Sequence, residues 1–448
     1  MNDSVFIHRV VLRSYKSIAR CDIQLQPLTY LVGQNGAGKS NFLDALHFVR
    51  DALAGSLDNA LSERGGLDEV RRRSSGHPNH IGIRLEYRLP DGRSGWYAFR
   101  IGALSSGGYE VQDEECVITG VGKGPFFRIS KGKLRDSSEP TFPSVTSDRL
   151  ALVAASGFTA FRPVFDALTA MGFYNLNPKV MRELQKPQDG RLLKPVGENI
   201  ASVISHLGRV APERLADIKE YLQSVVPTVQ GLERKPIGPM ETLEFRQEVA
   251  GSEHPWRFLA QNMSDGTLRA LGILTALLQS NVDYSPTMIG IEEPETALHP
   301  AASAALREVL VRASSRTQVL VTSHSPDLLD DPSIDADSIL AVVSEGGQTK
   351  IAPLDEASRK VLHDHLFSAG ELLRMNQLAP DRKFIERQSE SQMGLFGEAR
   401  PRFPLHRLWR AMEKCQPCRF CCADWRPSGR QPPWSNHSNP FGCGATGF

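Results

Sequence analysis

The residues with the clearest capacity for chemistry form the run GQNGAGKS at Gly33–Ser40. This run matches the pattern G-x-x-x-x-G-K-[ST], in which glycines let backbone N–H groups turn inward around phosphates. We expect Lys39 to reach the β- and γ-phosphates of a nucleotide and the Ser40 hydroxyl to ligate Mg²⁺. An apolar strand before the run and an amphipathic helix after it favour a phosphate-binding loop over a chance glycine-rich turn. The predicted nucleotide-binding residues of this segment are Gly33, Gln34, Asn35, Gly36, Ala37, Gly38, Lys39, Ser40 and Asn41.

Two adjacent carboxylates follow another apolar strand, in the run MIGIEEPETALHP at Met288–Pro300. Open α/β sheets place ligands at the carboxyl ends of their strands, so we expect Glu292 and Glu293 to face the phosphates. Glu292 would hold the Mg²⁺ shell, and Glu293 would orient and deprotonate the attacking water. An acidic turn exposed to solvent is the alternative, and the intact phosphate-binding loop weighs against it.

The order of two further segments along the chain supports a role for them in the same site. The run SDGT begins an apolar helix that Ser264 can cap, and Gly266 permits close backbone approach. Alone, this is the cap of a core helix, but its place between the loop and the paired carboxylates favours a role in the site. His324 ends an apolar strand in VLVTSHSPDLLD. Although an isolated histidine is more often structural, this position suits a sensor of the γ-phosphate.

The elements that must position these residues follow from the apolar pattern. Residues 5–13 and 21–32 are predicted strands, and residues 40–51 are a predicted helix. Short strands separated by Gly, Asp and Pro turns, from about residue 80 to residue 129, predict an antiparallel subdomain. Residues 288–321 alternate between strand, helix and strand, which is typical of a parallel sheet. The apolar stripe of the predicted helix consists of Phe42, Leu43, Leu46 and Val49.

This pattern divides the chain into four predicted parts. They are an N-terminal lobe at 1–160, a helical insertion at 161–235, a C-terminal lobe at 236–378 and a poorly ordered tail at 379–448. The tail is rich in Cys and Pro, and Cys415 and Cys418 have the spacing of a zinc knuckle. A second pair at regular spacing is missing, so a poorly ordered tail is favoured over a zinc site.

Composition sets broad limits on function. The chain has 448 residues, of which 40% are hydrophobic and 23% charged, with a formal net charge of +1. These values are typical of globular proteins and neither propose nor exclude a nucleic-acid partner. The N-terminus lacks an apolar signal region, and the longest nearly apolar stretch is far shorter than the roughly 20 residues that span a bilayer. We therefore expect a cytoplasmic protein without a membrane partner.

Together the motifs resemble those of the AAA family of ABC-type ATPases allied to SMC, RecF and OLD proteins. The runs SYKSI, GKSN and EEPETALHP are specific to that group, and the resemblance covers roughly residues 5–375. It implies an α/β fold, namely an ABC-type ATPase head with a mixed or parallel core sheet, an antiparallel β subdomain and a helical insertion. The 225 positions between Lys39 and Ser264 exceed those of a compact transporter ATPase. The insertion also lacks the sustained heptads of an SMC arm.

The resemblance implies ATP and Mg²⁺ as cofactors and a homodimer that sandwiches ATP between two heads. In that arrangement Ser264 and its helix contact the γ-phosphate held by the opposite subunit, and Thr296–Pro300 joins the two sites. Two positions depart from the family pattern. Glu292 stands where an aspartate is usual, which leaves the metal geometry less defined, and the signature reads SDGT instead of SGGQ. The sequence does not identify a Q-loop glutamine.

Two functions fit these features. The leading hypothesis is an ATP-driven molecular switch that acts with DNA, in repair or phage defence, and gates a nuclease or another effector in trans. The alternative is a nucleotide-dependent scaffold or sensor that holds a toxin or effector inactive with little ATP turnover. The run VVSEGG at Val342–Gly347 superficially resembles the start of a Toprim nuclease, but no Asp-x-Asp follows it. We interpret Ser344–Gln348 as a hairpin turn.

Overall fold

A mixed sheet of 13 strands forms the centre of the structure, which is a computed structural model. A second sheet has three antiparallel strands. The structure describes residues 6–73, 79–119, 124–280, 285–296, 298–299, 302–390 and 394–397. The part of the chain up to Gly397 forms one unit. No helix in the described ranges is both long and apolar enough to cross a membrane.

The strands are numbered in chain order. They are β1 Ile7–Tyr15, β2 Ile18–Gln24, β3 Leu28–Val32, β4 His80–Arg88, β5 Ser94–Ala103, β6 Tyr109–Thr119, β7 Phe126–Ser130, β8 Lys133–Ser137, β9 Gly172–Tyr174, β10 Val229–Ile237, β11 Met240–Gln247, β12 Trp256–Leu259, β13 Met288–Glu292, β14 Gln318–Ser323, β15 Ile339–Glu345 and β16 Gln348–Pro353.

The helices are numbered in the same way. They are α1 Lys39–Ala54, α2 Leu57–Ser62, α3 Leu67–Val70, α4 Ala151–Ala155, α5 Arg162–Thr169, α6 Pro178–Arg182, α7 Ile200–Val210, α8 Pro212–Val225, α9 Asp265–Leu278, α10 Ser303–Ser314, α11 Glu356–His363, α12 Ala369–Arg374 and α13 Arg382–Glu390.

The centre of the large sheet is parallel, in the order β15, β3, β14, β13 and β9. These strands are buried on both faces, which is why β3 reads as the nearly continuous apolar run LTYLV. Leu31 packs into the apolar cluster that contains α1, whereas Tyr30 and Val32 pack into the cluster that contains α9. The predicted apolar stripe of α1 is confirmed, since all four of its residues are buried.

The remaining half of the sheet is mostly antiparallel. The strands β2, β1, β4, β5, β6, β7 and β8 follow one another with antiparallel pairing throughout. The predicted antiparallel subdomain is therefore confirmed, and it continues to Ser137. β16 joins the two halves, because it pairs antiparallel with β15 and parallel with β2.

The prediction of one strand over residues 21–32 is wrong. The segment divides into the end of β2 and the whole of β3, which lie apart in the sheet. A turn separates them, in which the backbone N–H of Gln26 donates to Thr29 Oγ1 at 2.9 Å. The apolar residues occupy odd positions up to Leu25 and the even positions 28 and 30 after Pro27, so the sequence did carry a sign of the break.

Two assignments outside the predicted motifs also differ from the structure. The segment predicted as a helical insertion, 161–235, contains β9, an edge strand of the main sheet next to β13. A strand of three residues is too short to show a period. The predicted tail begins too early, because α13 follows residue 379 and Gln388 donates to the carbonyl oxygens of Asp22 and Ile351. The cysteines at 415 and 418 lie outside the described residues.

Candidate nucleotide-binding site

Three adjacent parallel strands bring the predicted motifs to one edge of the sheet. β3 leads into Gly33–Ser40, β14 leads into His324, and β13 ends at Glu292. Their order is β3, β14, β13, and parallel pairing places their carboxyl ends side by side. The backbone N–H of Gly33 donates to the Ser323 carbonyl at 3.4 Å. Segments separated by almost 300 residues in sequence therefore meet at one edge, where open α/β folds bind ligands.

The phosphate-binding loop depends on two glycines with positive φ. Gly36 has φ 78° and Gly38 has φ 100°, in the left-handed region that other residues rarely adopt. Gly38 also lies against β16, where a Cβ atom would come within 1.9 Å of Thr349 Oγ1. At Gly33, a Cβ atom would lie 2.0 Å from the Val342 carbonyl oxygen of β15. The hairpin of β15 and β16 thus forms the floor under the loop.

Lys39 lies at the start of α1 and is buried. Its Nζ donates to the carbonyl oxygens of Gly33 at 2.8 Å and Gln34 at 3.1 Å, so the ammonium curls back over its own loop. Burial lowers the pKa of Lys39, and the carboxylates of Glu293 and Glu295 oppose that shift. A buried cation held by carbonyl groups is well placed to exchange them for phosphate oxygens, which bind it more strongly.

Ser40 and Glu292 meet as the metal-site prediction requires. Ser40 Oγ donates to Glu292 Oε2 at 3.0 Å. Burial raises the pKa of Glu292, although the Ser40 hydrogen bond opposes the shift. A hydroxyl and a carboxylate at this distance supply two of the hard oxygen ligands that Mg²⁺ prefers. The residues present therefore fit an Mg²⁺ ion. Glu292 is one methylene longer than the aspartate that is usual at this position, and its carboxylate reaches Ser40.

Glu293 has an unusual backbone conformation. Its φ is 42°, and its N–H donates to the carbonyl oxygen of Thr322 at 3.0 Å, which fixes the strained turn after β13. Its Oε1 lies 4.0 Å from Lys39 Nζ and 3.3 Å from His324 Nδ1. Strain of this kind is held in place by the surrounding structure and gathers at functional sites. The turn aims the carboxylate between the lysine and the histidine.

Glu295 is a site residue that the sequence analysis did not single out. Its Oε1 accepts hydrogen bonds from Ser323 Oγ at 2.7 Å and from the His324 backbone N–H at 3.2 Å. The third carboxylate of EEPE therefore orients the segment that carries His324. Among the described residues, His324 Nδ1 and Glu295 Oε2 are buried without a hydrogen-bond partner, although Nδ1 lies within ion-pair distance of Glu293.

Comparison with known proteins agrees with this geometry. The model of the family described as "AAA domain, putative AbiEii toxin, Type IV TA system" matches residues 28–115 and 120–330, which is more than half of the chain. The chain belongs to this family. It is an ABC-type AAA ATPase of the SMC- and OLD-like group, as its motifs predicted. Membership of this family implies a nucleotide and, typically, Mg²⁺.

Individual proteins are similar to this chain in sequence or in fold. The Old nuclease of Escherichia phage P2 is 24% identical over 360 residues, which cover 73% of this chain and 57% of that protein. The chain thus spans less than two thirds of the length of this curated relative. An SMC head bound to the C-winged helix domain of ScpA superposes with a TM-score of 0.50 at 15% identity, covering 79% of this chain and 99% of that one.

A further solved structure gives the same result for the fold. An Smc head domain with an extended coiled coil, bound to the C-terminal domain of ScpA derived from Pyrococcus furiosus, has a TM-score of 0.51 at 12% identity. It covers 81% of this chain and 99% of that chain. The predicted fold class, an α/β ABC-type head with a mixed core sheet and an antiparallel subdomain, is confirmed.

The signature segment of the ATPase is held by its own helix. Ser264 caps α9, as predicted, because its Oγ accepts from the Thr267 backbone N–H at 3.1 Å. Arg182 donates to the Met263 carbonyl at 2.9 Å and also pairs with Asp265. Ser264 and Asp265 are exposed, and Gly266 is half-buried. The helix start is therefore fixed in shape and open to another molecule.

Arg269 connects this signature helix to the carboxylates and was missed in the sequence. It lies on α9 one turn after Ser264, and its Nη2 donates to the carbonyl oxygens of Glu292 at 3.3 Å and Glu293 at 3.1 Å. Its Nη1 donates to the Leu176 carbonyl, in the segment that follows β9. Since Arg269 bonds to backbone atoms, nothing in its local sequence could have marked it.

A chain of hydrogen bonds below the loop joins the two family motifs SYKSI and GKSN. Asn41 Nδ2 donates to Ser17 Oγ at 2.6 Å, and Ser17 Oγ lies 2.6 Å from Thr349 Oγ1. Thr349 Oγ1 in turn donates to the Ala37 carbonyl at 2.8 Å. Each hydroxyl donates once, so the chain runs from Asn41 through Ser17 and Thr349 to Ala37. We call these three side chains the loop relay. The predicted site residue Asn41 thus faces the floor of the loop.

β9 pairs with β13 so that Tyr174 lies opposite Ile291. The exposed residue Asn175 follows this last pair.

Proposed function

We propose that the chain binds ATP and Mg²⁺ at this edge and hydrolyses ATP as a dimerising molecular switch. The observation that carries the proposal is the meeting of Lys39, Ser40, Glu292, Glu293 and His324 at the ends of three adjacent strands. Each side chain has a distinct task in phosphoryl transfer to water. The five residues come from three separate segments, and a purely structural acidic turn would not need that combination.

Each residue's task follows from its position. Lys39 and the loop N–H groups would hold the β- and γ-phosphates, while Ser40 and Glu292 would hold Mg²⁺, whose charge neutralises phosphate oxygens. Glu293 would accept the proton of the attacking water, since its carboxylate lies between Lys39 and His324. His324 lies 3.3 Å from that carboxylate and would contact the γ-phosphate from the other side.

The second half of the site would come from another copy of the chain. Ser264 is exposed, and its hydrogen bonds run to Thr267 within its own helix. We assign the site built on Gly33–Ser40, with its carboxylates and His324, to one subunit, and the segment that begins at Ser264 to the opposite subunit. ATP binding would then hold two heads together, and hydrolysis at Glu293 would release them. The predicted role of Thr296–Pro300 in joining the two sites stays a prediction, because two positions of this segment, 297 and 300, lie outside the described residues.

A trapping experiment tests the roles of Glu293 and Lys39. We expect Glu293→Gln to lower the ATP turnover rate by about 10²- to 10⁴-fold while ATP binding persists, because only the general base is lost. The variant should accumulate as an ATP-bound dimer in light scattering after size exclusion, whereas Lys39→Ala should bind no ATP and stay monomeric. Glu345→Gln, at an exposed ion pair with Arg382, is the matched control. Parental turnover in Glu293→Gln would refute the assignment.

A complementation experiment tests whether the site is shared. Lys39→Ala lacks the loop cation, and Ser264→Arg blocks the signature helix, so each variant alone should be inactive. A mixed dimer contains one complete site, and we expect the mixture to recover up to about half of the activity per dimer. If the mixture stays inactive while both variants remain folded, the two halves belong to one chain.

The biological setting of the switch is a further part of the proposal. Similarity to the Old nuclease and to the family described as AbiEii-like supports a role in DNA repair or anti-phage defence, with a nuclease or toxin as the effector in trans. Arg71 and Arg73 belong to a basic cluster that could contact the phosphate backbone of DNA, and they pair with Asp68 and Glu69. ATP turnover with and without DNA separates the switch from the alternative, a scaffold that holds an effector inactive with little turnover.

A further inference from the structure

A short segment near the end of the described chain lies on the face of the antiparallel strands. Residues Gly394–Gly397, with the sequence GLFG, contact β4, β5 and β6. Arg84 of β4, Ala98 of β5 and Glu115 of β6 stand in one row across these strands. In the next row Gly82 stands beside Arg100. Small residues next to long charged ones leave a groove on this face, which we call the GLFG groove.

The side chains of the segment fit this groove specifically. Leu395 is buried above Gly82, where a Cβ atom would come within 2.2 Å of Leu395 Cδ1. Any larger residue at position 82 would therefore compete with the leucine for space. The guanidinium carbon of Arg100 lies 5.6 Å from the centroid of the Phe396 ring, within cation–π distance.

The backbone of the segment is bound by two buried charged groups. Arg84 Nη1 donates to the carbonyl oxygens of Leu395 at 3.1 Å and Gly397 at 2.8 Å. The Gly397 backbone N–H donates to Glu115 Oε2 at 2.9 Å. Arg84 and Glu115 are both only 2% exposed, and Gly397 has φ 86°. A positive φ favours glycine at that position, so the groove selects both for leucine and for glycine.

The two charged side chains that bind the backbone of the segment are buried and therefore require hydrogen bonds from it. Arg84 stacks on the Trp96 ring at 4.6 Å and pairs with Glu86, yet its Nη2 is among the buried atoms of the described residues that have no hydrogen-bond partner. A buried guanidinium that loses two charge-assisted hydrogen bonds is destabilised, since water cannot easily replace them. Gly394–Gly397 therefore completes this part of the sheet.

We propose that the GLFG groove is a peptide-binding site for a leucine–aromatic–glycine segment, which Gly394–Gly397 of the same chain occupies. The segment follows α13, and α13 contacts β2 and β16 through Gln388. Since only a few residues separate the segment from α13, docking in the groove would favour the position of α13 against β16, the strand that carries Thr349 of the loop relay. The site lies apart from the nucleotide-binding edge, so this proposal does not depend on ATP turnover.

A binding experiment on the full chain tests the proposal. Leu395→Asp should release the segment, because the shorter side chain leaves the space above Gly82 unfilled and burying a carboxylate there is costly. A labelled peptide with the sequence of residues 391–399 should then bind this variant at 1:1 stoichiometry in fluorescence anisotropy. We expect the parent chain to bind the peptide at least about tenfold more weakly, because its own tethered segment competes.

Two controls distinguish the groove from adhesion of an apolar peptide. The same peptide with aspartate in place of leucine should bind the Leu395→Asp chain at least about tenfold more weakly. Adding Gly82→Val to Leu395→Asp should abolish binding of the unmodified peptide. If Leu395→Asp does not melt cooperatively, Leu395→Ala serves as the recipient. Equal binding of both peptides, or no binding by a folded recipient, overturns the proposal.

Discussion

The two charged regions of the sheet use their side chains in opposite ways. In the antiparallel half, Arg9 lies between Asp22 at 2.7 Å and Glu86 at 2.8 Å, and Arg84 pairs with the same Glu86 at 2.9 Å. These charges neutralise one another. At the nucleotide-binding edge, Lys39 donates to carbonyl groups of its own loop and stays 4.0 Å from Glu293. Charges in close ion pairs stabilise the fold, whereas a charge without a close partner of opposite sign is available to bind a ligand.

Two buried glutamates show this difference in their proton affinity. Burial raises the pKa of Glu86, but the His8 hydrogen bond and the charges of Arg9 and Arg84 overcome that effect and hold it at about 2. Burial also raises the pKa of Glu292, and there the Ser40 hydrogen bond does not outweigh it. The same side chain thus stabilises the fold in one region and costs stability in the other.

The largest expected effect comes from removing the structural glutamate. A pKa lowered from 4.5 to about 2 corresponds to roughly 3 kcal/mol of stability. This stability is present above pH 4.5 and is lost as the pH falls toward about 2. Glu86→Gln should therefore lower the free energy of unfolding by about 3 kcal/mol at pH 7, measured in urea. The deficit should shrink below pH 4.5; a deficit that does not depend on pH would contradict an ionic role.

A smaller effect should follow from breaking the loop relay. Thr349→Val keeps the volume but removes the hydroxyl, so Ala37 and Ser17 each lose a partner worth about 1 kcal/mol. We expect ATP affinity to fall by about tenfold and the melting temperature of the nucleotide-free chain to fall by a few degrees. Thr349→Ser should retain parental affinity, and Ser17→Ala combined with Thr349→Val should be less than additive. Parental affinity in Thr349→Val would show that the hairpin only fills space under the loop.

The smallest predicted effect is a gain in stability, opposite in sign to the loss expected for Glu86→Gln. A raised pKa in the folded protein means that Glu292 costs stability as the pH rises above 4.5, the ordinary value for glutamate. Glu292→Gln should thus raise the melting temperature of the nucleotide-free chain by on the order of 1–3 °C at pH 7. The gain should vanish as the pH falls through 4.5. A lower melting temperature at pH 7 would contradict this account. Whatever its stability, Glu292→Gln should lose Mg²⁺-dependent ATP binding.

Much of the nucleotide site could be predicted because its signals are local. Gly33–Ser40 must form a particular turn between a strand and a helix, and only certain residues permit that turn. Ser264 could be recognised as a helix cap for the same reason. Arg269, Glu295 and Thr349 could not, because they act on backbone atoms or side chains far away in sequence. The Thr349 hydroxyl reaches Ala37 across 312 positions.

In the antiparallel half, too, local sequence predicted some features of the fold and not others. The strands between residues 80 and 129 were predictable from alternation and turn residues. The break between β2 and β3 is marked only by Pro27 and by a change in the phase of the alternation, which the prediction of a single strand passed over. The GLFG groove also gives no sign in the sequence, because Gly82, Arg84 and Glu115 are ordinary strand residues until Leu395 and Gly397 meet them.

By itself, the sequence determined the type and order of the chemical motifs in Gly33–Ser40, Ser264–Thr267, Glu292–Glu293 and His324. Local backbone geometry and side-chain chemistry dictate those choices. The tertiary structure decided the rest: that β14 lies between β3 and β13, that β16 lies under the loop, and that a C-terminal segment completes the antiparallel face. Those decisions depend on strand pairing and burial between distant segments, and no short stretch of sequence encodes them.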